Sequence, residues 1–147
     1  MSDRETFKHR FRPGVQETAY HWTNPDGSKG GIVAVTAKVS PSARIVNGAV
    51  VGPRSVVGKD AHIGPDVYIG EGARIGPGTF VGTGVYIEDG SQISGSVHIG
   101  NEAYIGEGVR IGYQARIGYH AHLGTGTRVG KGVYIGDDTS VEGGSVR

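Results

Sequence analysis

Histidine side chains are the groups in this sequence best suited to proton transfer near neutral pH. His98 and His122 each stand directly before an aliphatic residue, and either imidazole could act as a general base. Together with His120, the same two residues could instead supply imidazole ligands to Zn²⁺. The chain has no cysteine, so a zinc–thiolate site and a cysteine nucleophile are excluded. The histidines therefore leave two kinds of chemistry open, acid–base catalysis and metal binding.

The elements that must position these histidines come from a six-residue repeat. An aliphatic residue occupies every sixth position from Val33 to Val141, 19 times without an insertion. A small residue lies two positions before each aliphatic one, and this alternation over four residues is typical of a half-buried strand. The two remaining positions carry turn-forming residues. Strands this short must pair with the copies stacked on either side, so the repeat predicts an all-β solenoid.

Phrases such as VYIGEG at residues 67–72 resemble the repeat of the bacterial transferase hexapeptide-repeat superfamily. The resemblance covers residues 33–147 and implies a single-stranded left-handed parallel β-helix of 19 hexads. In that family three hexads form one triangular coil, so residues 18 apart stack on one face, and the assembly is a homotrimer. Residues 1–32 do not follow the repeat and predict an N-terminal arm with a short β-hairpin cap, in which Trp22 plugs the open end.

Stacking by 18 sorts the outward strand residues into three columns. The first column contains Val50, Tyr68, Tyr86, Tyr104, His122 and Ser140. The second column contains Arg44, His62, Phe80, His98, Arg116 and Tyr134. The third column contains Lys38, Val56, Arg74, Gln92, Arg110, Arg128 and Val146. Because exposed aromatic side chains are favoured at protein interfaces, we expect Tyr68, Tyr86, Phe80 and His62 to pack against sister subunits.

Other outward residues are candidates for binding a ligand or a protein partner. Arg74, Arg110 and Arg128 share one column and could hold an anionic small molecule through bidentate contacts. Tyr104 in the first column and the corner residues Tyr119 and His120 are placed where aromatic rings are exposed, which indicates contact with another molecule. A formal net charge of +1 argues against a dedicated nucleic-acid binder.

The uninterrupted repeat has no inserted loop that could form an acceptor pocket, so the sequence favours a rigid trimeric scaffold or binding protein that needs no cofactor. The alternative is an acyltransferase of the hexapeptide-repeat family, with an acyl-CoA donor and His98 or His122 as base. A second alternative is a zinc protein similar to gamma-class carbonic anhydrases, although the His-x-x-x-x-His pair of that family is missing.

The sequence also bears on the cellular location of the protein. The N-terminal residues contain no apolar signal region, and no later stretch is long and apolar enough to span a membrane. We therefore expect a cytoplasmic protein without a membrane partner. The Gly30-Gly31 lead-in to the first coil also resembles hexapeptide proteins of phages and prophages, which would place the protein in a virion.

Overall fold

A computed structural model describes residues 4–147, and the first three residues of the predicted 1–32 segment lie outside it. The described chain is all-β, with 22 strands, and it contains no helix that could cross a membrane. From Lys38 onward each strand covers only two residues, the outward one and the aliphatic one that follows it. These strands are shorter than the four-residue alternation predicts, because the neighbouring positions already belong to the corners.

The strands form three sheets, which we call faces A, B and C. Face A contains β1 Thr6–Arg12, β2 Val15–Thr23, β3 Lys29–Ala34, β6 Val50–Val51, β9 Tyr68–Ile69, β12 Tyr86–Ile87, β15 Tyr104–Ile105, β18 His122–Leu123 and β21 Ser140–Val141. Face B contains β4 Lys38–Val39, β7 Val56–Val57, β10 Arg74–Ile75, β13 Gln92–Ile93, β16 Arg110–Ile111, β19 Arg128–Val129 and β22 Ser145–Val146. Face C contains β5 Arg44–Ile45, β8 His62–Ile63, β11 Phe80–Val81, β14 His98–Ile99, β17 Arg116–Ile117 and β20 Tyr134–Ile135.

Within each face, successive strands of the repeat are parallel and pair residues 18 apart, as Tyr86 pairs with Tyr104. The aliphatic residues of all three faces point inward and form one continuous buried core from Val33 to Ile135. Buried Ser55, Thr79 and Thr127 donate their hydroxyl hydrogens to corner carbonyls, so these polar groups are satisfied inside the core. The predicted class, a parallel β-helix with an N-terminal β-hairpin, is confirmed.

Most corners between faces contain one residue with a left-handed backbone. This conformation recurs at every sixth residue from Gly48 to Asp138. Half of these positions hold glycine, which adopts it without a steric cost. The other half are Arg54, Asp60, Asp66, Ser96, Glu102, Gln114, His120 and Asp138. Side chains are kept at these corners despite backbone strain, so the corners are the variable part of an otherwise regular scaffold.

The N-terminal end of the core is closed by side chains of the hairpin region. Tyr20 is buried in the core, and the Trp22 ring nitrogen donates a hydrogen bond to the Ala43 carbonyl at 3.1 Å. Buried Asn24 both donates to the carbonyl of Ile45 and accepts from its amide, at 3.1 and 2.8 Å. The first coil therefore has partners for backbone groups that an open end would leave unpaired.

The last coil is one residue shorter than the repeat predicts. Ser145 pairs with Arg128 and Val146 with Val129, because Gly143 and Gly144 turn the chain early with φ of 104° and 78°. The prediction that Val146 points outward is therefore wrong, and this side chain packs against the end of the core.

Candidate active site

Face C carries a stack of rings in its middle layers. Phe80 lies between His62 and His98, with ring centroids 4.8 and 5.0 Å apart and nearly parallel planes. Arg116 pairs with His98 in the next layer. The pKa of His98 is lowered, first by partial burial against these neighbours and then by the positive charge of Arg116. His98 is therefore held toward its neutral form, which can accept a proton.

A cavity of about 220 Å³ opens beside His98, where face C meets the corner that leads to face A. The lining residues that carry functional groups are His98, Arg116, Tyr119, Tyr134 and Asp137. Gly118 lines it as well, and a Cβ there would lie 2.5 Å from the Asp137 carboxylate, so glycine is required. The structure thus brings together two predicted site residues, His98 and Tyr119, in one concave place.

The corner next to this cavity is an ionic stack. The His120 Nε2 contacts a carboxylate oxygen of Glu102 in one neighbouring layer, and its Nδ1 lies 3.4 Å from the Asp138 carboxylate in the other. The hydrogen bond to Glu102, followed by the charges of both carboxylates, raises the pKa of His120. The His120 ring also stacks on Tyr119, with centroids 3.9 Å apart. His120 therefore lies behind a wall of the cavity, and both of its ring nitrogens are engaged.

Face A carries a second line of rings. Tyr68, Tyr86, Tyr104 and His122 stack in order, with centroids 4.9, 5.8 and 4.7 Å apart. The Tyr104 hydroxyl donates a 2.7 Å hydrogen bond to Glu88, which raises the pKa of Tyr104 to about 12. Tyr104 and His122 therefore lie together, on a different face from His98.

The candidate metal ligands do not converge. His98 is on face C, His122 is on face A, and His120 is bound to two carboxylates at the corner between them. Among residues 4–147, no three His, Cys, Asp or Glu side chains are arranged to hold a metal ion. The structure therefore gives no support to a metal set of His98, His120 and His122.

A larger groove was missed by sequence reasoning. It has a volume of about 610 Å³ and lies along the corner between faces A and B. Arg12 of the hairpin reaches across it to Glu71 and Asp89, at 3.1 and 3.2 Å, and Arg54 contacts Glu71 and Glu17. These contacts fix the hairpin to the solenoid. Nothing in the six-residue pattern indicates where the hairpin folds back, so no sequence signal could have located them.

Arg116, Tyr134 and Asp137 were also not predicted as site residues, although the sequence carried a signal for them. Arg116 and Tyr134 follow His98 in the second column at intervals of 18, and Asp137 stands at the corner 18 residues after Tyr119. Applying the same interval to corners as well as strands would have placed all of them near His98.

Comparison with protein families identifies the repeat. Residues 33–147 match the family model described as the GMPPB C-terminal domain. The chain belongs to the GMPPB C-terminal domain family. No curated protein matches this family member by sequence.

Solved structures similar to this GMPPB C-terminal domain family member include several acetyltransferases. The acetyltransferase domain of PglB from Neisseria gonorrhoeae, in complex with acetyl coenzyme A, is 30% identical over 76% of this chain and 53% of that chain, with a TM-score of 0.63. A histidine-to-asparagine variant of perosamine N-acetyltransferase from Caulobacter crescentus, in complex with CoA and GDP-perosamine, is 26% identical over 76% of this chain and 52% of that chain, with a TM-score of 0.53. A histidine-to-alanine variant of the enzyme is 22% identical, covers 77% of this chain and 49% of that chain at a TM-score of 0.58, and shows the fold alone.

These matches confirm the predicted hexapeptide-repeat superfamily, and this family member spans about half the length of the solved structures. The favoured interpretation, a scaffold or binding protein, is wrong, because the similar structures are acetyltransferases that hold acetyl-CoA or CoA. The expectation that no cofactor takes part is likewise not supported. Strand and corner side chains form a cavity beside His98 without an inserted loop.

Proposed function

We propose that this chain is an acyltransferase domain that uses an acyl-CoA donor and His98 as the general base for an amine acceptor. The observation that carries the proposal is the similarity to the PglB acetyltransferase domain with acetyl coenzyme A bound, at 30% identity and a TM-score of 0.63. The cavity beside His98 supports it from this chain's own residues. The match covers 53% of the PglB structure, so the acceptor class is proposed here and does not follow from the match alone.

His98 has the environment that a general base needs. Partial burial and Arg116 lower its pKa, so the imidazole is neutral near pH 7 and can accept a proton. As the acceptor nitrogen attacks the thioester carbon, His98 takes the proton that the nitrogen loses. The carbon–sulfur bond then breaks, the acyl group stays on nitrogen as an amide, and the proton passes from His98 to the departing CoA sulfur.

The other lining residues suit the binding of the two substrates. Arg116 offers a guanidinium that can hold a phosphate group of the donor or of a nucleotide-linked acceptor. Tyr119, 47% exposed, offers a ring face on which a planar or sugar group can lie. An amino sugar linked to a nucleoside diphosphate is the acceptor class we propose, following the GDP-perosamine bound by the perosamine N-acetyltransferase.

His122 is the second candidate base, on a different face. Its ring stacks on Tyr104 at 4.7 Å and does not line the cavity beside His98. The role of each histidine as general base can therefore be tested separately, because replacing one leaves the surroundings of the other unchanged.

The proposed assembly is a homotrimer, in which the aromatic columns of faces A and C pack against sister chains. Phe80 and Tyr86 are 40% and 43% exposed in the single chain, and contiguous exposed aromatic surface is typical of an interface. Native mass spectrometry measures the subunit number, and a monomer at micromolar concentration would contradict this part of the proposal.

The function is tested by following release of free CoA thiol from acetyl-CoA in the presence of amino-sugar nucleotides. We expect turnover by the wild type, a loss of about 10²–10⁴-fold in kcat for His98→Ala, and unchanged acetyl-CoA binding by calorimetry in that variant. His122→Ala is the matched control and keeps its turnover. If wild-type protein binds no acetyl-CoA, the acyltransferase proposal fails; if His122→Ala loses turnover and His98→Ala does not, His98 is not the base.

A further inference from the structure

The strand residues of face B form a basic column that none of the chemistry above uses. Arg74, Gln92, Arg110 and Arg128 stand in four consecutive layers, each paired in register with the next. All four side chains are exposed. Strands in a sheet lie about 4.8 Å apart, so the column presents guanidinium groups at separations of one and two layers.

The arginines of the basic column differ from Arg12, Arg44 and Arg54 by their lack of acidic partners. Arg12, Arg44 and Arg54 each contact a carboxylate. Within residues 4–147, no carboxylate forms an ion pair with an arginine of the basic column. Arg110 and Arg128 are instead directly paired neighbours, an arrangement of like charges that destabilises a sheet. An anion bound between them would remove that repulsion.

The surroundings of face B leave its positive charge uncompensated on one side, at the corner with face C. Four successive turns of the corner between faces B and C contain no acidic residue. These turns are residues 76–78, 94–96, 112–114 and 130–132. That last turn adds Lys131, whose ammonium lies 6.0 Å from the centroid of the exposed Tyr113 ring. On the opposite corner, Glu71 and Asp89 contact Arg12 of the hairpin, and Glu71 also contacts Arg54 of the solenoid. That corner also carries Glu107 and Glu142, so the positive charge of face B is least compensated on the side that faces the corner with face C.

We propose that face B binds an extended ligand with at least two phosphate groups in line. Arg110 and Arg128 hold adjacent phosphates, and the ligand runs along the column past Gln92 toward Arg74. Planar guanidinium groups bind phosphate oxygens in bidentate fashion, and two of them one layer apart contact adjacent phosphates of a linear chain. A single phosphate engages fewer of these donors. The site lies on a different face from the cavity beside His98, and its phosphate binding can be measured without acyl transfer.

Tripolyphosphate is the probe that tests this site, with orthophosphate for comparison, by calorimetry at low ionic strength. We expect tripolyphosphate to bind at least about tenfold more tightly than orthophosphate. Arg110→Gln and Arg128→Gln should each weaken it by about tenfold, and the double variant more. Arg10→Gln is the control, because it removes the same charge from an exposed arginine of the N-terminal hairpin that forms no ion pair among residues 4–147, and it should leave the affinity within about twofold.

Competition with CoA identifies the source of the phosphates. Displacement of tripolyphosphate by CoA assigns the column to the diphosphate of the donor, and failure to displace it assigns the column to another phosphorylated ligand. Equal weakening by Arg10→Gln, equal affinity for orthophosphate, or no binding of tripolyphosphate would overturn the proposal. Circular dichroism of each variant verifies that the fold is intact.

Discussion

His98 and His120 lie on adjoining parts of the solenoid, yet their surroundings favour opposite protonation states. His98 points out from face C between Phe80 and Arg116, and its pKa is lowered. His120 stands at a corner with a carboxylate in the layer on either side, and its pKa is raised. Neither pKa shift comes from the backbone of the coil, which is repeated from layer to layer.

The opposite pKa shifts show that, in a solenoid, the chemical properties of an outward side chain depend on its neighbours in the adjacent layers. Every outward residue meets the residues 18 positions before and after it, so its column neighbours decide its charge and its solvation. For His98 these neighbours are a ring and a cation, and for His120 they are two anions. One residue type is thus shifted toward its neutral form at a strand position and toward its protonated form at a corner, according to the column neighbours of each.

The largest effect is expected from reversing the charge beside His98. Arg116→Glu replaces a nearby cation with an anion, which should raise the pKa of His98 and shift its titration toward the protonated form. We expect acyl transfer to be largely lost near pH 7 and recovered at higher pH. The measurement is the pH dependence of kcat/KM, together with NMR titration of the His98 ring.

Arg116→Gln is the control for this variant, because it removes the cation without adding an anion. Its profile should move in the same direction by a smaller amount. If NMR shows that the His98 titration has moved while the kinetic profile has not, His98 is not the base, whatever else Arg116 does for substrate binding.

A smaller effect is expected from Phe80→Ala, which exposes His98 to water. Burial is the first cause of the lowered pKa of His98, so removing the ring that stacks on it should raise that pKa toward its usual value. Loss of two stacked contacts should also reduce the free energy of unfolding by about 1–2 kcal/mol. Tyr86→Ala on face A is the matched control: it should cost a similar amount in urea unfolding and leave the pH profile in place.

Much of this comparison could be predicted from the sequence. The six-residue period fixes which residues point inward, and the interval of 18 places Phe80, His98 and Arg116 in one column. The same interval joins Glu102, His120 and Asp138, but it was applied only to strands, and the ionic stack at the corner was missed. The repeat carries this information because each layer lies directly over the previous one.

The parts that could not be predicted are those outside the strict period. The contact of Arg12 with Glu71 and Asp89 depends on how the hairpin folds back over the solenoid, which no local pattern determines. The short last coil depends on Gly143 and Gly144 turning one residue early. Side-chain placement around a cavity likewise depends on packing between a strand and a corner.

The ionic stack predicts a pH dependence of stability with a definite sign. The pKa of His120 is higher in the folded than in the unfolded state, so its contribution is fully present below the unfolded value of about 6.5. That contribution is lost as the pH rises through the folded pKa, while the carboxylates remain ionised. We expect the urea midpoint of wild type, relative to His120→Gln, to fall across this window. Glu102→Gln should flatten the difference, and a difference that grows with pH would contradict the assignment.

The smallest effect is expected from a pair of glycine variants that distinguishes backbone strain at the corner from the ionic contacts of His120. His120 and Gln114 have the same left-handed backbone, with φ of 60° and 62°, and glycine relieves the strain at either position. Gln114→Gly should gain up to about 1 kcal/mol in the free energy of unfolding at every pH, because Gln114 is not titratable. His120→Gly gains the same relief but loses the contacts with Glu102 and Asp138. We therefore expect His120→Gly to be less stable than Gln114→Gly at acidic pH. Above the folded pKa of His120, the two variants should have similar free energies of unfolding. Equal behaviour of the two variants at all pH values would mean that the ionic stack adds nothing to stability.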